Sequence, residues 1–221
     1  LVASSSQVTG GSRRAYVSPR REAAARATRR AILDAALALF VDHGYASTSR
    51  EAIAQRAGVA VQTVAAVFGT KRAILDALVD AATRGDGSLP SPAMRSWPQE
   101  LREQPDAAAL LRHHAASACR VSRSIASLME VVRRAAAADA GIAELWHALQ
   151  QQRLRGQATV VELLSSRAPL RPGLSRAEAA DVLWALTDDS LQHALAVERG
   201  WPPERVEAWL GDTMCGALLG A

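Results

Sequence analysis

Apolar residues recur at helical spacing from about residue 20 to the end of the chain, so the pattern predicts an all-α protein. A first helix is expected from about Arg20 to His43, with Ile32, Ala36, Leu39 and Phe40 on one stripe. A short second helix starting at Thr48 carries Ala52, Ile53 and Ala57 inward, and a third, from about Ala60 to Phe68, carries Val64 and Phe68. A fourth runs from Thr70 to about Thr83 with Ile74, Leu75, Leu78 and Val79 as its packing face. Further helices are expected near 105–120, 123–137, 140–166, 176–199 and 203–219.

Punctuation residues divide this pattern. Thr48 with Glu51, and Ser175 with Glu178, have the spacing of capping boxes, and Thr70 is an N-cap candidate. Gly58 stands where a left-handed residue would stop the second helix. Residues 84–98, RGDGSLPSPAMRSWP, collect Gly, Ser and Pro, break the helical period and predict a linker.

Two short helices joined through Gly58 outline a helix-turn-helix; alone, that outline fits a structural hairpin as well as a DNA-binding unit. The surrounding residues are more specific. The run ILDAALALF at 32–40 with Gly44-Tyr45 after it, the segment TSREAIAQRAGV at 48–59, and FGTK at 68–71 occur in order, and together they resemble the TetR family of bacterial transcriptional regulators. The resemblance is strongest over residues 25 to 80. It implies a helix-turn-helix DNA-binding domain at 21–83 and a helical ligand-binding and dimerisation domain at 99–221, acting as a homodimer on a palindromic double-stranded operator. It also implies a phosphate contact for Lys71, the single lysine in the sequence.

Charge supports a polyanion partner for the N-terminal third. Residues 1–72 carry eleven Lys and Arg against four Asp and Glu, whereas the rest carries fifteen against eighteen. Such a basic region concentrates nucleic acid and adds salt-sensitive affinity. Residues 1–20, rich in Ser and Gly, read as a flexible basic arm in which Arg13, Arg14 and Arg20, with Arg21 beyond, could follow phosphates or enter the minor groove. No apolar run is long enough to span a membrane, and the first ten residues do not read as a secretory signal. With Cys119 and Cys215 both in apolar helical patterns, reduced thiols and a cytoplasmic location are expected.

No catalytic constellation is evident: there is no G-x-S-x-G elbow, no C-x-x-C pair and no Gly-rich phosphate loop, and no cofactor is expected. Asp189 and His193 share a helical face but lack a third ligand, so no metal site is expected either. All five tryptophans fall at residue 97 or later. Trp146, Trp184, Met129 and His114 are the candidates for lining an apolar cavity that takes a small-molecule effector. The last two helices are apolar on more than one side, which points to a second subunit packed on Leu191, Leu195, Val206, Trp209, Leu210, Thr213 and Met214.

Against the family's pattern, the third helix is poor in reading groups: Ala65, Ala66 and Val67 replace the usual aromatic pair, and Ala60 the usual Ser cap. Base contact is then left to Gln62, Thr63 and the methyl groups of Val61 and Ala66, with Thr48, Ser49 and Arg50 from the preceding helix. The expected function is a ligand-responsive transcriptional repressor. A small-molecule binding protein of the same fold with weakened DNA binding is the alternative.

Overall fold

The structure is a computed structural model that describes the backbone of residues 19–84 and 93–220, and the side chains of residues 19–82 and 97–220. Residues 1–18 of the expected arm, with Arg13 and Arg14, lie outside the described residues, as do residues 85–92 of the expected linker, while Pro19 and Arg20 open the first helix. The described chain is helical, with one isolated antiparallel bridge, Leu170 to Leu219. No described helix is long and apolar enough to cross a membrane.

Helix α1 (Pro19–His43) buries Ile32, Leu33, Ala36, Leu39 and Phe40, while its first two turns, from Pro19 to Ala27, are exposed. Helices α2 (Arg50–Ala57), α3 (Val61–Phe68) and α4 (Lys71–Arg84) close over that stripe through Ile53, Val64, Ile74, Leu75 and Leu78, each fully buried. Gly58 adopts φ 68° and ψ 30°, the left-handed conformation that ends α2. The Val59 amide then donates to the Ala54 carbonyl at 3.0 Å. Thr70 caps α4, its hydroxyl oxygen accepting the Ala73 N–H at 3.0 Å.

The start of α2 differs from the expected capping box. Ser49, not Thr48, is the N-cap and accepts from Ala52 N–H at 3.1 Å. Thr48 is 4 % exposed and its hydroxyl points back to the carbonyls of Leu39 (3.2 Å) and Gly44 (2.9 Å), tying α2 to the end of α1.

Helix α5 (Ala93–Arg102) begins inside the segment read as linker and contains Pro98. Trp97 and Leu101, packed on the C-terminal core, hold it in place despite the proline. The two helices expected at 105–120 and 123–137 are one 30-residue helix, α6 (Ala107–Ala136). The polar stretch around Arg120, Arg123 and Ser124 marks where α6 exchanges one set of neighbours for another. Its first half packs on α10 (Pro203–Leu218), and Leu128, Val131 and Val132 near its end enter the core formed by α1 and α4.

Helix α7 (Ala140–Ser165) returns antiparallel and also reaches the N-terminal core, through Ile142. Helix α8 (Arg176–Leu186) starts with the expected Ser175–Glu178 capping box. The continuous helix expected over 176–199 is broken. Thr187 bonds back to the Leu183 carbonyl at 2.8 Å, Asp188 caps a new turn by accepting the Ser190 N–H at 2.9 Å, and the side chains thereby compete with the helical ladder. The five-residue α9 (Asp189–His193) then runs into a π-helical turn at Ala194–Glu198.

Helix α10 lies against α6 at short range because Gly211 carries no side chain; a Cβ there would meet Arg112 Cα at 3.3 Å and Cγ at 3.0 Å. Its Val206, Leu210 and Met214 stripe faces this contact and is buried within the subunit, so these three residues do not form a dimer face as expected. Leu191, Leu195, Trp209 and Thr213 remain half-exposed.

Candidate nucleic-acid interface and interior polar seam

The outward face of α3 consists of Gln62, Ala65, Ala66 and Val67, all exposed, while Val61 and Thr63 are half-buried. Ala60 at the N-cap makes no side-chain bond, so the first turn of α3 keeps its amide donors uncapped by any side chain. Arg50 is exposed at the start of α2 and its Nη1 donates to the Gly69 carbonyl at 2.9 Å, which joins α2 to the end of α3. The Arg29 guanidinium stacks on the Phe68 ring at 4.5 Å and fixes the same end of α3 against α1. Arg20 and Arg21 are exposed on the first turn of α1.

Two residues expected at DNA have interior partners instead. Thr48 is buried, as described above. Lys71 directs its three protons at the carbonyls of Tyr45 (2.7 Å), Ala46 (3.2 Å) and Thr48 (2.9 Å), and its Nζ lies 4.4 Å from the Tyr45 ring centroid. An ammonium has three donors, and all three are engaged. Lys71 thus ties the α1–α2 turn to the first turn of α4, in place of the phosphate contact that the resemblance implied. Burial pulls its pKa below the usual lysine value.

The four residues expected to line one cavity divide into two pairs. Met129 and Trp146 pack against the core of the DNA-binding region. His114 lies fifteen residues before Met129 on α6, about 22 Å along the helix. It is buried against Trp97, with ring centroids 5.6 Å apart, and is joined to Gln157 of α7. Trp184 belongs to this second neighbourhood through α8.

A chain of hydrogen bonds runs through it. The Thr187 hydroxyl donates to the Leu183 carbonyl at 2.8 Å, so Gln157 Nε2 must donate to Thr187 Oγ1, at 3.3 Å. Gln157 Oε1 is therefore the acceptor for His114 Nε2–H at 2.8 Å, and Nδ1 is left as a bare acceptor. Burial pushes the His114 pKa down to about 4. One turn before Gln157, Arg153 lies over the Trp184 ring at 4.9 Å, donates to the Trp184 carbonyl at 2.5 Å and meets Asp188 at 3.5 Å. Burial raises the Asp189 pKa, partly opposed by a hydrogen bond with Ser122 of α6.

Among the described residues seven polar side chains are buried, and all but Thr48 fall in the C-terminal part: His114, Ser117, Ser122, Gln157, Thr187 and Gln192. Gln157, Arg153, Thr187 and Gln192 had not been singled out from the sequence. The signal was present for Gln157, which precedes Val160, Val161 and Leu164 on one apolar stripe of α7.

Comparison with known proteins is consistent with this architecture. Residues 32–78 match the family described as Bacterial regulatory proteins, tetR family. The chain is similar to SmeT in its complex with triclosan, at 25 % identity and a TM-score of 0.69 over 88 % of this chain and 92 % of that one. It is similar to NalD, described as the secondary repressor of the MexAB-OprM multidrug efflux pump in Pseudomonas aeruginosa, at 24 % identity and a TM-score of 0.64 over 88 % and 98 % of the two chains. It also shares the fold of a protein from Saccharomonospora viridis in complex with choline, at 20 % identity and a TM-score of 0.66 over 87 % and 98 %. No curated protein matches the chain. The helix-turn-helix geometry of α2 and α3 and the match over residues 32–78 make the N-terminal region similar to that of the TetR family of bacterial regulatory proteins, and the chain as a whole shares the fold of SmeT and NalD.

Proposed function

We propose that the protein is a ligand-responsive transcriptional repressor, acting in the cytoplasm, whose dimer binds a palindromic operator and is released by a small molecule held in the C-terminal half. The observation that carries this reading is the shared core. Leu128, Val131 and Val132 of α6 and Ile142 of α7 are buried together with Ile32, Phe40 and Leu78 of the DNA-binding region. A displacement of α6 at the polar seam must move α1 and α4, and with them the two copies of α3. A dimer whose recognition helices no longer match adjacent major grooves loses its operator. SmeT bound to triclosan and the Saccharomonospora viridis protein bound to choline support an effector of low mass.

On the DNA side, Gln62 is the long polar side chain on the free face of α3, and a bidentate amide contact to adenine suits it. Ser49, Arg50, Arg20 and Arg21, with Arg13 and Arg14 outside the described residues, are assigned to phosphates and flanking bases. The half-exposed Leu191, Leu195, Trp209 and Thr213 are assigned to the second subunit. A small-molecule binding protein with weakened DNA binding is favoured by one feature, the alanine-rich, uncapped α3.

Selection of bound sequences from pooled oligonucleotides at stated salt separates the two readings. The repressor yields a palindrome, and Gln62→Ala relaxes one symmetric pair of positions by about 1–3 kcal/mol of base discrimination. Absence of any specific site from the wild-type selection would leave the binding-protein reading.

A further inference from the structure

Four buried polar atoms in the C-terminal seam have no hydrogen-bond partner: His114 Nδ1, Arg153 Nε, Trp184 Nε1 and Gln192 Nε2. His114 is 4 % and Gln192 7 % exposed, so neither side chain turns to water. The groups belong to one neighbourhood. His114 reaches α8 through Gln157 and Thr187, Arg153 lies on the Trp184 ring, and Gln192 follows Asp189 by three residues, on the α9 face that meets Ser122 of α6. Two other unpartnered buried atoms, Ser165 Oγ and Arg167 Nη1, sit at the far end of α7 and beyond it. A buried polar group without a partner costs free energy, so four in one seam call for something that completes them.

Their polarity limits what that something is. Arg153 Nε, Trp184 Nε1 and Gln192 Nε2 are all donors, against the single bare acceptor His114 Nδ1. The missing partner is therefore rich in acceptors. A cation would look for an aromatic face and a carboxylate, but Arg153 already covers Trp184 at 4.9 Å and meets Asp188 at 3.5 Å. An anion would face both Asp188 and Asp189 with one guanidinium to offset them.

The ring of Trp97, 5.6 Å from that of His114, also lines a groove of ≈ 310 Å³ between α5 and α7, whose other walls include Leu101, Val160 and Leu163. The Trp97 ring thus touches both this groove and His114. Closing the seam on the other side are the broken end of α8, the short α9 and the π turn.

We infer that the seam between α6, α7 and α8–α9 is the effector site, and that it selects an uncharged molecule rich in hydrogen-bond acceptors, such as a ketone or lactone. This rests on the repressor reading for its biological consequence, and on the buried donors for its chemistry. Ring oxygen or carbonyl atoms take the Trp184 and Gln192 donors.

The test compares three bicyclic probes of similar size on the full chain by ligand-observed NMR titration: chromone, which carries a carbonyl and a ring oxygen; naphthalene, which carries no acceptor; and the cation N-methylquinolinium. Chromone is expected to bind about tenfold tighter than either of the others. Trp184→Phe keeps an aromatic face and removes the N–H, and Gln192→Leu keeps the approximate volume and removes the amide; each should weaken chromone about fivefold, the worth of one hydrogen bond, and weaken naphthalene less. Melting curves of both variants accompany the titrations, so that one folded variant suffices. Equal affinity for the three probes, preference for the cation, no binding of any probe, or unchanged chromone affinity in a folded variant overturns the inference. Operator binding is measured on the same samples: a protein that binds its operator but does not prefer chromone loses only the effector chemistry, whereas one that prefers chromone and has no operator loses the repressor reading.

Discussion

The interiors of the two halves are built on opposite principles. Around α1 and α4 the core is apolar, with Thr48 its one buried polar side chain among the described residues, and that hydroxyl has carbonyl partners at 3.2 and 2.9 Å. In the C-terminal half the core is apolar where α6 meets α10 and where Val160, Val161 and Leu164 of α7 join Ala179, Ala180 and Leu183 of α8. Around His114, Gln157 and Thr187 it holds a hydrogen-bonded chain with loose ends. A satisfied, close-packed core has one arrangement and resists deformation. A seam with unpaired donors and broken helices has a lower cost of rearrangement, because opening it forfeits little. On the function proposed above, the first suits a surface that presents α3 in a fixed pose, and the second a site that responds to an effector.

Three experiments sharpen or break this contrast. The largest effect is expected from Phe40→Ala, since Phe40 is 1 % exposed at the centre of the N-terminal core. The cavity should cost about 3–5 kcal/mol in a denaturant titration. A loss below about 1 kcal/mol would mean the core relaxes, contrary to the rigidity argued for it.

An intermediate effect concerns pH. His114 has its folded pKa held down at about 4 against an ordinary value of 6.5, so the unfolded chain takes up a proton that the folded chain refuses. The contribution of neutral His114 is fully present above pH 6.5 and is lost as pH falls from 6.5 towards 4, at a limiting slope of about 1.4 kcal/mol per pH unit. In His114→Gln this component of the slope should vanish, while the contribution of the carboxylates stays. Parallel stability curves for wild type and variant across that window would show that the seam is hydrated and not closed.

The smallest effect is a gain. Ala60→Ser supplies the side-chain oxygen that α3 lacks and should add about 0.5–1 kcal/mol, read as a rise in melting temperature. No gain would indicate that water caps α3 as well as a hydroxyl can.

The helix-turn-helix was legible from sequence because its signals are local: Gly58 for the left-handed stop, Thr70 for the cap, and stripes such as Ile74, Leu75 and Leu78. One local signal misled. Thr48 and Ser49 are adjacent and both able to cap, and the choice between them is made by the carbonyls at the end of α1, which attract the Thr48 hydroxyl. Lys71 could not be placed by sequence for the same reason, since its three acceptors lie 23 to 26 residues away. In the C-terminal half the apolar excess of α10 was visible, but Val206, Leu210 and Met214 face α6 and not a second subunit. Periodicity reports that a face is covered and is silent on what covers it. The seam depends on His114, Gln157 and Thr187 meeting across three helices, a coincidence of distant positions that no window contains.

The hairpin tip of α6 and α7 lodged in the N-terminal core has a consequence for modularity. A cut after α4 would strip Leu128, Val131, Val132 and Ile142 from the surface of α1 and α4, leaving a greasy scar where those side chains were seated. The reading head is thus not a detachable cassette. Grafting it onto another sensor would require carrying residues from about Ile125 to Leu149 along with it, because that tip is as much a part of the head's interior as Phe40 is.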